Sequence, residues 1–105
     1  MSGYKAARRT EALSELNQLA LLIEQLRDPI GKMPTKEQIL ADLKTTSPKI
    51  FRGVEEGVYI LTGTMDGGGL WAYELDADKK DGIAVIGGRA FRSTTDDVKR
   101  YLGKN

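Results

Sequence analysis

Apolar residues recur every three or four positions along the first quarter of the chain. This spacing marks one face of a helix, and it is kept by Leu13, Leu16, Ala20 and Ile23. The opposite face carries polar side chains, namely Glu11, Glu15, Gln18 and Gln25. No Gly or Pro interrupts residues 6–27, and Pro29 disfavours the helical conformation at Asp28. The pattern predicts a long amphipathic helix over about residues 5–27.

Two shorter helices are predicted from their first turns. Thr35 precedes Gln38 by three positions, which is the spacing of a capping box, and apolar residues follow at helical intervals. This indicates a helix at residues 35–45. Near the end of the chain, Asp96 and Asp97 stand where carboxylates stabilise the positive end of a helix dipole, and Val98 begins an apolar side. This indicates a terminal helix at residues 95–102.

The second half of the chain is rich in residues that favour strands. Such runs occupy residues 58–62, 70–75, 83–86 and 89–92. Gly87 and Gly88 separate the last two runs and indicate a tight hairpin. Alternation places Trp71, Tyr73 and Leu75 on one face, and we expect Trp71 and Tyr73 to pack on the long helix.

The order of these elements predicts an α+β fold. Strands joined by short loops pair antiparallel, so residues 57–93 should form a sheet of three to four strands. The long helix is the element available to cover its apolar face. A chain of 105 residues has the usual size of one domain, so residues 1–105 are expected to share a single core. Tyr59 and Tyr101 are expected in the core or at its edge.

Composition narrows the function. Sixteen basic residues stand against fifteen acidic ones, so the chain lacks the basic excess of a dedicated nucleic-acid binder. The sequence has no His and no Cys, which excludes imidazole acid–base catalysis, cysteine nucleophiles and the usual zinc sites. We therefore expect a protein that is not an enzyme, has no cofactor and does not bind nucleic acid.

Three carboxylates in one predicted loop are a candidate cation site. Asp76, Asp78 and Asp81 supply oxygen ligands of the kind that Ca²⁺ prefers. Their spacing differs from that of an EF-hand loop, and Lys79 and Lys80 lie among them. The loop is interpreted as a solvated turn, with a Ca²⁺ site as the alternative.

Other polar features have plain structural interpretations. Lys5, Arg8 and Arg9 form a small basic tract that could meet lipid headgroups, although a solvated helix end explains it as well. The glycine-rich residues 63–69 lack the Lys-Ser/Thr of a phosphate-binding loop. The adjacent Glu55 and Glu56 are not assigned to catalysis.

The chain resembles the pilin fold, in which a long N-terminal helix lies on an antiparallel sheet. The similarity is carried by AARRTEALSELNQL at residues 6–19, by Gly31-x-x-Pro34, by LWAYE at residues 70–74 and by the hairpin at residues 83–91. These segments are similar to those of the pilin-like proteins abundant in planctomycete bacteria. The family's apolar anchor does not occur in the chain, so the resemblance predicts an apolar segment or a lipidation site upstream.

The resemblance implies the soluble ectodomain of a type IV pilin-like or type II secretion pseudopilin-like protein. It implies an extracytoplasmic location and a structural role, with membrane attachment only through a segment outside this chain. Protein contacts or self-assembly would use the first helix, at Arg8, Arg9, Leu13 and Leu16, and the helix should be partly exposed from Tyr4 to about Leu16. A calcium site in a late loop also occurs in major pseudopilins.

A second interpretation stays open. A helix-on-sheet scaffold also suits a free-standing domain that binds a small ligand or a protein. That interpretation predicts a concave pocket at the sheet, whereas the assembly module predicts an exposed surface along the first helix.

Overall fold

The computed structural model describes residues 2–30, 32–62, 69–75 and 77–102, with side chains from Glu11 onward. Within these residues the chain forms four helices and four strands. The helices are α1 (Ser2–Leu26), α2 (Lys36–Thr46), α3 (Pro48–Glu55) and α4 (Thr95–Leu102). The strands are β1 (Tyr59–Leu61), β2 (Leu70–Glu74), β3 (Gly82–Ile86) and β4 (Arg89–Ser93).

The strands form one antiparallel sheet in the order of the chain, β1-β2-β3-β4. The predicted α+β class and antiparallel pairing are therefore confirmed. Gly87 and Gly88 join β3 to β4 with φ angles of 61° and 85°, a left-handed conformation that glycine adopts without strain. This is the tight hairpin that the sequence predicts.

Helix α1 covers one face of the sheet with its apolar stripe. Leu16, Leu19 and Ile23 are completely buried there, and they share a core with Ile83 and Val85 of β3. Helices α2 and α3 extend this core beside α1, through Ile39, Leu43 and Ile50. Because the apolar stripe of α1 and the inner sheet face shield each other from water, their contact is the main source of hydrophobic stabilisation.

Helix α3 was not predicted from the sequence. Pro48 stands at its first position, where a missing N–H costs no helical hydrogen bond, but the same residue suggests the end of a helix when read after α2. Gly53 further weakens the helical pattern. The signal that survives is the apolar spacing of Ile50, Phe51 and Val54, all of which pack into the core. The capping box predicted for α2 is confirmed, since the Gln38 side chain and the Thr35 backbone N–H are joined at 2.7 Å.

A bulge in β2 changes which side chains face α1. Leu70 pairs with Ile86 and Ala72 pairs with Val85, so Trp71 is an extra residue in the ladder. Trp71 and Ala72 both enter the core under α1, whereas Tyr73 packs on the other side of the sheet. The prediction that Trp71 and Tyr73 share a face is therefore wrong for Tyr73. Leu75 lies beyond the strand and is exposed.

Thr62 holds the bulge from the neighbouring strand end. Its backbone N–H donates to the Trp71 carbonyl at 3.0 Å, and its hydroxyl donates to the Leu70 carbonyl at 2.6 Å. Two successive carbonyls of the irregular segment therefore have donors close to them. This satisfies backbone groups that a regular ladder would otherwise pair.

Helix α4 covers the second face of the sheet. Val98 is completely buried against Leu70 and Ala84, and Tyr101 and Leu102 pack beside them. The Thr94 hydroxyl accepts the backbone N–H of Asp97 at 3.2 Å and caps the first turn. The predicted terminal helix is confirmed, and Tyr101 lies at the core edge as expected.

The burial of α1 predicts unequal effects of truncating two of its apolar residues. Ile23→Ala should lower the free energy of unfolding by about 2–5 kcal/mol because it leaves a cavity in the core. Leu21→Ala, at a side chain that is 64% exposed, should change it by less than about 0.5 kcal/mol. Urea denaturation followed by circular dichroism measures both. Equal effects would contradict the described orientation of α1.

Candidate functional site

A cleft of about 290 Å³ opens between α1, α3 and the β1 edge of the sheet. Helix α1 contributes Glu11 and Glu15 to its walls. Helix α3 and its C-cap residue contribute one face, which consists of Lys49, Arg52, Gly53 and Glu56. The sheet contributes Tyr59 and Glu74, which are cross-strand partners in β1 and β2. Since residues directly opposite in an antiparallel pair share a face, both side chains point toward α1.

Tyr59 forms the floor of the cleft. Its side chain is almost completely buried, and its hydroxyl donates a hydrogen bond to Glu15 Oε1. Its ring packs against α3 at Gly53, where a Cβ atom would come within 2.9 Å of Tyr59 Cδ2 and 3.0 Å of Cε2. Gly53 is thus the residue that allows the aromatic ring and the helix to approach so closely.

Carboxylates surround the Tyr59 hydroxyl. Burial raises the pKa of Tyr59 above its ordinary value of 10.0, and the hydrogen bond to Glu15 raises it further. The negative charges of Glu74 and Glu11 act in the same direction because they oppose formation of a phenolate. Tyr59 therefore stays protonated at neutral pH and acts as a hydrogen-bond donor that orients Glu15.

Glu74 is held by the sheet itself. Its Oε1 atom accepts the backbone N–H of Ile83 at 2.7 Å, next to the Tyr73–Ala84 pair of β2 and β3. A carboxylate that accepts a backbone N–H has little freedom to rotate. Glu15 and Glu74 thus enter the cleft as two carboxylates fixed by hydrogen bonds.

The rim of the cleft carries both signs of charge. Lys49 Nζ of α3 lies 2.7 Å from Glu11 Oε1 of α1, and this hydrogen bond is the largest cause that raises the pKa of Lys49. Both side chains are exposed, so the pair adds little stability. Arg52 and Glu56 also line the rim and are exposed, and neither has a side-chain partner among the described residues.

The arrangement is a concave surface lined by polar and charged side chains. Among the described side chains that line it, four carboxylates face two basic groups, so its net charge is negative. A buried phenol that remains protonated positions a neighbour but is not a nucleophile at neutral pH. Convergent polar groups around a concave surface, with a perturbed pKa among them, are typical of binding sites.

The predicted cation site is not supported by its described members. Asp78 is half-buried, Asp81 is exposed, and Asp76 lies outside the described residues. In the described part of the chain, no group of three or more carboxylates could hold a metal ion. Asp78 instead lies near Tyr73, whose pKa is raised first by burial and then by this negative charge.

The residues predicted for protein contacts differ in exposure. Leu13 is 36% exposed, as a contact residue should be, but Leu16 is completely buried in the core. The expectation that the helix is partly exposed as far as Leu16 is therefore wrong at Leu16 itself. The side chains of Arg8 and Arg9 lie outside those that the structure describes.

The residues that line the cleft were not identified from the sequence. Tyr59 was predicted at the core and is buried there, but Glu15 was assigned to the outward face of α1 and is in fact half-buried against Tyr59. The available signal was the spacing of Glu11 and Glu15, which places two carboxylates one turn apart beside the apolar stripe. That signal needs α3 and β1 in place before it defines a cleft.

Comparisons with known proteins add no relative: no family model, no curated protein and no solved structure matches the chain. No helix in the described ranges combines the length and the apolar character needed to cross a bilayer.

The close approach of Gly53 and Tyr59 predicts that Gly53→Ala destabilises the fold. Alanine favours a helix interior by about 0.5–1 kcal/mol, but the clash with the ring should outweigh this and give a net loss of about 1–2 kcal/mol. Thermal unfolding of the single variant and of Gly53→Ala in a Tyr59→Leu background measures both effects. Without the ring the same substitution should be neutral or stabilising, and a stabilising single variant would contradict the described packing.

The raised pKa of Tyr59 predicts a loss of stability in alkaline solution. An unfolded tyrosine ionises near pH 10, and the folded state resists this ionisation. Stability from this source is complete below about pH 10 and is lost as pH rises toward the higher folded pKa. The free energy of unfolding should therefore fall more steeply above pH 10 in the original protein than in Tyr59→Phe, by up to about 1 kcal/mol per pH unit.

Urea denaturation between pH 8 and pH 11.5 tests the alkaline prediction. Lys49 titrates in both proteins, so the difference between the two curves isolates Tyr59. Parallel curves would contradict the described burial of the Tyr59 hydroxyl and its hydrogen bond to Glu15.

Proposed function

We propose that this chain is a non-enzymatic structural or assembly module, the soluble ectodomain of a pilin-like or pseudopilin-like protein. Support comes from the agreement between its architecture, a long first helix across an antiparallel sheet, and the fold that the sequence resemblance implies. Because one fold serves many functions, the proposed role depends on the surface of α1 and not on the fold alone.

The observation that carries the proposal is the apolar content of the outward side of α1. Leu13 and Leu21 are 36% and 64% exposed, although the helix buries a full stripe of other apolar residues against the sheet. They are separated by Asn17 along positions i, i+4 and i+8, which form one of the ridges by which helices pack together. This outer ridge (Leu13, Asn17 and Leu21) offers a second helix a surface for docking.

In the proposed assembly, the outer ridge packs against a neighbouring protein or a second copy of this chain. The basic residues Arg8 and Arg9 precede the ridge on the same helix and are proposed to contribute charge to that contact. The proposed location is extracytoplasmic, and any membrane attachment would come from a segment outside these residues. No cofactor and no nucleic acid takes part in this function.

Self-association measured by sedimentation equilibrium tests the assembly proposal. The dissociation constant of the association should rise about tenfold in Leu21→Asn, because burial of a leucine contributes about 1.5–3 kcal/mol and each 1.4 kcal/mol is a factor of ten. Leu75→Asn is the matched control, since Leu75 is similarly exposed, at 57%, but lies after β2.

Two outcomes would contradict self-association through the outer ridge. One is a protein that remains monomeric at millimolar concentration. The other is an equal loss of association in Leu75→Asn, which would indicate non-specific adhesion of apolar groups.

The second candidate function is a domain that binds a small ligand or a protein. The observation that favours it is the cleft beside β1, a concave pocket at the sheet with two carboxylates held by Tyr59 and the Ile83 backbone. The two functions use different surfaces, since the outer ridge and the cleft residues Glu11 and Glu15 occupy different positions on α1. Variants of one surface can therefore be tested without altering the other.

A further inference from the structure

We infer that the cleft between α1, α3 and β1 binds an organic cation, a primary ammonium or a guanidinium group on a short apolar stem. The inference rests on the second candidate function, binding at this cleft, and it adds the chemical class of the ligand. It is independent of the outer ridge.

The fixed charges of the cleft select for a cation. Glu15 is oriented by the Tyr59 hydroxyl and Glu74 by the Ile83 backbone N–H, so both carboxylates are positioned before a ligand arrives. Preorganisation of this kind reduces the entropy that binding must overcome. Glu56 adds a third carboxylate at the rim without a side-chain partner in the described part of the molecule.

The basic residues of the cleft do not form an anion site. Lys49 is engaged by Glu11 at 2.7 Å, and only Arg52 remains as an exposed rim cation without a described partner. An anion would meet one guanidinium but at least three carboxylates. Like charges brought together across an interface oppose binding, so an anionic ligand is disfavoured.

The shape of the cleft favours an organic cation over a metal ion. The described carboxylates do not form a group that could hold a metal ion. They suit a cation that is larger than a metal ion and donates several hydrogen bonds. The Tyr59 ring, Ala12 and Val58 supply apolar surface for a methylene stem. A volume of about 290 Å³ lies at the lower end of ligand pockets and fits one side chain or a small amine.

Two sources could provide this chemistry, a free amine or the basic side chain of a peptide. The probes are agmatine, which carries both a guanidinium and an ammonium group, and a capped single lysine, N-acetyl-lysine methylamide. Malonate is the anionic probe. Titration of the ¹⁵N-labelled full chain at low ionic strength, followed by amide chemical shifts, measures the affinity for each.

Four single substitutions test the charge of the cleft: one should weaken agmatine binding, one should strengthen it, and each has a matched control. Glu56→Gln removes a cleft carboxylate and should weaken agmatine binding by about three- to fivefold, the effect of one partly exposed ion pair. Glu55→Gln removes the same charge from the adjacent exposed residue, which does not line the cleft, and should have little effect. Lys49→Gln removes a competing cation and should strengthen binding severalfold, whereas Lys44→Gln, at an exposed residue of α2, should not.

We expect agmatine to shift the amide signals of Tyr59, Gly53 and their neighbours, and we expect 0.5 M salt to weaken its binding. Stronger binding of the capped lysine than of agmatine would support a peptide side chain as the source, and the reverse would support a free amine. Equal effects of Glu56→Gln and Glu55→Gln would overturn the inference, because they indicate attraction to the whole surface.

The failure of the ligand class can be told apart from the failure of the site. Shifts at the cleft with malonate but not with the cations would overturn the inference and leave a binding function in place. The absence of cleft shifts with all three probes would overturn both.

Discussion

The contact between the apolar stripe of α1 and the inner face of the sheet determines the rest of the structure. Leu16, Leu19 and Ile23 leave water only if Ile83 and Val85 meet them, and the sheet face is shielded only if the helix lies across it. This contact also determines what lies on either side of α1. The cleft lies on one side, where α3 and β1 reach the helix, and the hairpin of β3 and β4 lies on the other.

The same contact explains why two other surfaces of α1 remain open for the two proposed functions. A helix on a sheet buries roughly one side and leaves two flanks and an outer side. In this chain one flank holds Glu11 and Glu15 in the cleft, while the outer side carries Leu13 and Leu21. The proposed assembly and the proposed ligand binding would therefore use different side chains of α1.

The sequence was informative where a residue's neighbours along the chain determine its structure. The periodic stripe of α1, the capping box at Thr35 and the Gly87-Gly88 turn depend on local rules, and all three were predicted. Helix α3 was missed because a proline such as Pro48 is compatible both with the end of one helix and with the first position of the next. The cleft was missed because Glu15, Tyr59 and Gly53 are distant in sequence and meet only after packing.

The bulge at Trp71 gives β2 a property that a regular strand lacks. A strict two-residue repeat would let a strand send every second side chain to one helix. By holding an additional residue in place, Thr62 allows this five-residue strand to place adjacent Trp71 and Ala72 under α1 and then Tyr73 beneath α4. In a regular ladder Trp71 and Tyr73, two positions apart, would lie on the same face of the sheet. The bulge therefore lets one short strand supply an aromatic side chain to each of the two helical layers.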